Sequence, residues 1–280
     1  ILDRFCAPLY DAMIGTGVEP GNAQNGAWQL IALLKKANLF LIRLDVEDQW
    51  FRYHHLFRDL LKRQLKRNYS AGDINTLHST ASEWFESQGL ITESIEHALA
   101  AEDYVHTAEI VEKYRHNMHE AGRWHVIERW LDRLPEGIIQ KRAALLLAKA
   151  WIAYVRFQLE RIPSMIEQAE SLLDDKTAEP LLWGELNFFR GNLLYWQGEA
   201  ETGARLLEEA LAQIPEKKIH VKSNTELILG LARQMIGQKE RAIQALDDRI
   251  RALDPSENFS FAYLTAGLTF IHLLSGELHQ

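Results

Sequence analysis

Two histidines, His54 and His55, stand side by side where the chain changes character, in the stretch Trp50 to Leu61. Before them, Asn38 to Leu44 is β-prone and Asp45 to Gln49 is a polar turn. After them, Leu56, Phe57, Leu60, Leu61 and Leu65 recur at helical spacing, which predicts a β-hairpin feeding a helix. Imidazole can donate or accept a hydrogen bond near neutral pH. The plainer reading packs one ring at the joint and leaves the other in solvent.

Other residues invite chemistry and fit it less well. Arg58, Lys62, Arg63, Lys66 and Arg67 form a basic run on the helix, at the spacing of a solvated or inter-domain face, with Asp59 among them. His116, His119 and His125 suggest zinc, but only two share an i,i+3 spacing, no Cys joins them, and His119-Glu120 does not extend to His-Glu-x-x-His; no metal site is assigned. The carboxylate pairs Asp174-Asp175 and Asp247-Asp248 are placed at helix ends, where solvation explains them. No nucleophile, base and acid can be assembled from spacing, so the chain is read as no enzyme. Trp151, Tyr154, Phe157, Trp183, Phe188, Phe189, Tyr195 and Trp196 crowd a later stretch. Leu182, Leu186, Phe189 and Leu193 form one stripe there, and Trp183, Tyr195 and Trp196 fall outside it. These three are the candidate ligand-binding residues, able to stack on a small molecule such as a sugar.

The elements that position these residues form two domains, residues 1–70 and 71–280. At 280 residues, the length itself predicts about two domains. Apolar content of 47% with 25% charged residues is ordinary globular composition, and no run of apolar residues is long enough to span a membrane. A lone Cys6 excludes an intrachain disulfide framework and fits a reducing, cytoplasmic setting. A net charge of −8 argues against nucleic-acid binding by this chain itself. The opening Ile1-Leu2-Asp3, without Met or a leader, predicts a piece of a longer protein.

Residues 1–17 pattern as a helix with Leu2, Phe5, Leu9 and Met13 on one face, Gly15 to Gly26 as a loop, and Ala27 to Lys36 as a second helix. With the hairpin and its helix, this describes a winged-helix-like module. From Asp73 the pattern is all-α, with Asp73, Thr92 and Asp103 as expected N-caps and Gly89 as a C-terminal stop. Gly198, Gly237 and Gly276 lie 39 residues apart, as do Gly191 and Gly230. This alignment sets Gly203 over Ala242, Leu207 over Leu246, and Pro215 one step from Pro255. Small residues at those offsets allow two antiparallel helices to approach closely. The pattern resembles the tetratricopeptide repeat, with a longer period. A looser earlier unit runs from Leu145 to Leu173, with Leu159 in the glycine position and Pro163 opening its second helix. The expected fold is mainly α: a winged-helix module with a β-hairpin, then a TPR-like superhelix of helical hairpins.

The residues Asn38-Leu39-Phe40-Leu41, Leu44-Asp45 and Trp50 to Leu61, with the opening Ile1 to Phe5, resemble the MalT-like group of large LuxR-type transcriptional activators, within the STAND class of ATPases. The resemblance covers residues 1–70 by motif and 71–280 by architecture. It implies a P-loop ATPase before this segment and a helix-turn-helix DNA-binding domain after it. No Gly-x-x-x-x-Gly-Lys-Ser/Thr occurs in these residues. In STAND proteins a Met-His-Asp-like motif at the start of this helix meets the β-phosphate of ADP. Tyr53-His54-His55-Leu56 resembles it, with His54 over the His and His55 over the Asp. The resemblance thus implies that His54 and His55 contact nucleotide phosphate in the full-length protein. ATP or ADP would bind outside this chain, and no cofactor is expected within it. The implied partners are a small-molecule inducer or a protein on the helical repeats, DNA through another domain, and further copies of the activated protein. A plain TPR-type interaction scaffold is the competing expectation.

Overall fold

The computed structural model describes residues 2–14, 23–37, 39–47, 49–174, 180–254 and 258–276. The glycine-rich stretch 15–21 and Pro255, on which expectations fell, lie outside these residues. The chain divides into two compact units, residues 1–110 and 111–280, with the division inside one helix.

In the first unit, α1 (Ala7–Ile14) and α2 (Ala23–Lys36) precede a two-stranded antiparallel sheet of β1 (Leu41–Arg43) and β2 (Phe51–Tyr53). Leu41 pairs with Tyr53, Ile42 with Arg52, and Arg43 with Phe51. The first helix starts later than its apolar spacing predicts. Phe5 exchanges backbone hydrogen bonds of 2.8 and 2.9 Å with Phe51, forming an isolated bridge at the sheet edge, and an extended residue cannot also be helical. The second helix starts earlier than expected and contains Gly26. Next come α3 (His55–Asn68), α4 (Ala71–Ser87) and α5 (Ile91–Ala100). Phe5, Leu9, Ala27, Ile31, Phe51, Ala81 and Phe85 form one core, so α4 packs into the same cluster as the winged helix. By contrast, no side chain of α3 is fully buried. The cap of α4 is Ser70, not Asp73. Ser70 Oγ accepts from the Asp73 N–H at 3.1 Å and the Asp73 carboxylate accepts from the Ser70 N–H at 3.1 Å, a reciprocal capping box. Helix α5 begins before Thr92, at Ile91, with Leu90 as its cap residue.

The helix α6 (Tyr104–Glu120) is capped by Asp103, whose carboxylate accepts from the His106 N–H at 3.0 Å. The second unit continues with α7 (Trp124–Leu131), α8 (Glu136–Ile139) and α9 (Ala143–Val155). After a 3₁₀ turn at Leu159–Arg161 come α10 (Ile162–Ser171), α11 (Pro180–Gln197), α12 (Ala200–Gln213), α13 (Ile219–Met235), α14 (Lys239–Ala252) and α15 (Asn258–Leu274). Pro163 opens α10, as its fixed φ favours. Successive helices pair as hairpins: α9 with α10, α11 with α12, and α13 with α14. The recurring glycines have a steric cause. Gly198 joins α11 to α12 with φ of 87°, a backbone region costly for other residues. A Cβ on Gly191 would stand 2.6 Å from Leu207 Cγ and 2.9 Å from the Gly203 carbonyl oxygen, so α11 and α12 touch backbone to backbone. Helix α11 is buried well beyond the single predicted stripe: Gly184 to Phe189, Gly191 and Asn192 are all covered, because the helix packs against α9, α10, α12 and α13. Asp247 and Asp248 lie within α14 rather than at its end, beside Arg251 and Gln244 respectively.

Candidate functional site

The first candidate site is the joint between β2 and α3. Asp45 shapes the hairpin turn, its carboxylate accepting from the Gln49 N–H at 2.9 Å and the Trp50 N–H at 3.1 Å. That turn returns the chain so that the His54 N–H donates to the Phe40 carbonyl at 2.9 Å. The hairpin therefore ends with His54 at the N-cap of α3 and His55 as its first helical residue. The His54 side chain makes no capping bond. It is half-buried beside Phe40 (6.3 Å between ring centres), whereas His55 is exposed, its ring 4.2 Å from that of His54. Phe40 itself is 62% exposed and holds φ of 52°, an uncommon conformation for a bulky residue. Two imidazoles, one free of capping duty and one open to solvent, stand at the positive end of a helix. Such an end favours anions. Along α3, Arg58 and Lys62 reach Asp3 at 3.1 and 3.4 Å, and the rest of the basic run is exposed, a solvated face.

The second candidate site lies in the helical hairpins. Trp183 and Tyr195 are half-buried on α11 and Trp196 is 55% exposed. The Tyr195 and Trp196 rings meet edge-on at 5.3 Å, and Trp183 makes no ring contact with either among the described residues. The structure therefore brings two of the three together. A denser constellation that spacing did not reveal lies inside the unit. Arg115 on α6 and Glu185 on α11, both essentially inaccessible, form a bidentate pair at 2.9 and 2.5 Å. The Trp151 indole N–H donates to the same carboxylate at 2.6 Å. Trp151 stacks on Phe188 at 4.8 Å and meets Tyr154 edge-on at 5.6 Å. The Tyr154 hydroxyl lies 3.3 Å from that of Tyr263, which brings α9 to α15.

His116, His119 and His220 border this pair. Burial, then Arg115, holds His116 well below the usual histidine range. Burial, then His220, does the same to His119, and burial pulls His220 down to about 4 against the opposing charge of Glu185. With its imidazole neutral, the 3.8 Å approach of His116 Nε2 to Glu185 is no ion pair. Three neutral rings around one charge-matched pair make a desolvated polar core. The described residues contain no group of three or more His, Cys, Asp or Glu placed to hold a metal ion. One sequence signal could have found Glu185: it is the single charged residue in the apolar run Pro180 to Phe189.

Hairpin, α3 and the helical hairpins that follow define the class, a winged-helix module continued by paired helices. Residues 1–72 match the MalT winged helix domain. Over most of its length the chain is similar to MalT: it is 23% identical to the HTH-type transcriptional regulator MalT of Yersinia enterocolitica, and equally to that of Yersinia pestis, over 256 residues, or 91% of this chain and 28% of the relative. It is also 32% identical to the serine/threonine-protein kinase PknK of Mycobacterium tuberculosis over 151 residues, 54% of this chain and 13% of the relative. The chain thus spans less than a third of the length of these relatives. No solved structure matches it. Among the described residues no helix is long and apolar enough to cross a membrane.

Proposed function

We propose that this chain is the sensing and coupling segment of a cytoplasmic, ATP-dependent transcriptional regulator of the LuxR type, and that it is not itself catalytic. The observation that carries the reading is the placement of His54 and His55 at the N-terminus of α3, directly after the hairpin of a MalT-type winged helix. In this reading the imidazoles donate to a phosphate oxygen of nucleotide bound by a lobe outside this chain. ADP there favours a closed state. The helical hairpins, TPR-like in their glycine spacing, take a small-molecule inducer or a protein partner, with Tyr195, Trp196 and Trp183 offering aromatic surface. Inducer and ATP together favour an open, self-associating state, and DNA is bound by another domain.

The similarity to PknK supports a second reading. A segment shared with proteins named for a kinase and for a DNA-binding regulator suits a common input device, with the output set elsewhere in each protein. Full-length protein tests both. His54→Ala is expected to lose bound ADP during purification, and His55→Ala to lose less. Undiminished ADP retention in both variants refutes the nucleotide role. If inducers or peptides are screened by thermal shift, a hit confined to peptides favours a plain scaffold.

A further inference from the structure

The first unit holds an open cavity of about 490 Å³ between α1, α2, β2, α3 and α4. That is within the range of small-molecule sites, about 300–1,000 Å³. Its walls are mostly apolar, with Tyr10 and Met13 of α1, Leu61 and Leu65 of α3, and Leu77 of α4. Along α3 the lining residues Arg58, Leu61, Leu65 and Asn68 fall at i, i+3, i+7 and i+10, one helical stripe, with Gln64 at its edge. A stripe of that kind normally packs on a core, yet no side chain of α3 is fully buried, and on the stripe itself only Arg58 and Leu65 are half-buried. The inward face of α3 therefore meets space where native interiors are close-packed.

Arg58 is the one charged residue on this lining among the described residues. Its carboxylate partners are weak ones. Asp3 is 77% exposed and shared with Lys62, and Asp59 stands 3.5 Å from Nε. An exposed, shared pair contributes little and exchanges readily for another anion. We propose that this cavity binds an amphipathic organic anion, its apolar body between α1 and α3 and its carboxylate or similar head group on Arg58. The apolar walls select the body; the single guanidinium selects the charge. Filling the space seats α3 against α1, and α3 begins at His54 and His55, so occupancy is felt at the histidines. The binding site stands apart from the nucleotide reading, which can fail without it.

Isothermal titration of the 280-residue chain with sodium decanoate and, separately, decan-1-ol tests the proposal. Decanoate is expected to bind one site per chain and to move the imidazole NMR resonances of His54 and His55. Arg58→Gln is expected to weaken decanoate by about tenfold and leave decan-1-ol unchanged, the loss of one charge-assisted contact. Leu65→Trp fills the cavity from α3 and Met13→Trp fills it from α1. Either variant, checked as folded by its melting temperature, should abolish binding. Absence of decanoate binding, equal affinity in Arg58→Gln, or undiminished binding in both Trp variants overturns the proposal. So does a dimer, seen by light scattering, that Leu65→Trp dissociates, because a second copy would then be the occupant.

Discussion

The β2–α3 joint and the Arg115–Glu185 cluster are both polar constellations built around histidines, and they are opposites. At the joint, His55 and most of the basic run face water, and no side chain of α3 is fully buried. In the cluster, a guanidinium and a carboxylate are withdrawn from water and pair with each other, while burial keeps the imidazoles beside them neutral and leaves His116 Nε2 and His119 Nε2 without a hydrogen bond. Polar groups displayed at low stability cost suit contact with something else. Polar groups buried at high desolvation cost must first be matched internally, and so fix the arrangement of the helices that carry them.

Breaking the buried side should have the largest effect. Glu185→Ala leaves Arg115 and the Trp151 N–H without their acceptor, and is expected to cost about 3–5 kcal/mol in urea unfolding. A Glu185→Met/Arg115→Met double variant should recover most of that loss, since removing both charges removes the desolvation penalty. If the single variant is as stable as the parent, the cluster is not a lock.

Acid should come next. His220 is held at about 4 against an ordinary value of 6.5, and His78 and His97, whose Nδ1 atoms lie 2.8 Å apart between α4 and α5, are also held at about 4. Burial is the leading cause in each. Because the folded values lie below the unfolded one, the unfolded chain takes up protons first as pH falls. The stability from the neutral rings is complete above about pH 6.5 and is lost progressively towards pH 4, by roughly 1.4 kcal/mol per pH unit for each such ring. His220→Gln should flatten this slope in unfolding free energy between pH 7 and 4.5. An unchanged slope would mean His220 titrates normally.

Smaller effects belong to the exposed side. Ser70→Ala removes half the capping box of α4 and should cost about 1 kcal/mol. His55→Ala should change unfolding free energy by less than about 0.5 kcal/mol, as for an open surface position. A larger loss at His55 would erase the contrast between display and lock.

The joint was legible because local patterns wrote it: a β-prone stretch and a polar turn give way to helical spacing within a few residues of His54. The helical hairpins were legible through Gly191, Gly203 and Gly198, since close backbone approach and left-handed φ restrict residue choice. The extended state of Phe5 was hidden, because its partner Phe51 lies far along the chain and apolar spacing alone reads as helix. Ser70 was passed over for Asp73 because the two share one capping box, and either can be mistaken for its first residue. The Arg115–Glu185 pair was invisible for the deeper reason that 70 residues separate its halves. Helical charges usually mark a solvated face, so only the isolation of Glu185 within an apolar run hinted otherwise.

The contact between the Tyr154 and Tyr263 hydroxyls bears on how the second unit comes apart. An array in which each hairpin touches only its neighbours frays from its ends, one unit after another. A tie from α9 to α15 spans two intervening hairpins and makes α15 answer to α9. Melting should then proceed as a single cooperative event rather than as peeling, and a ligand that separates the two tyrosines would loosen the whole run of hairpins at once.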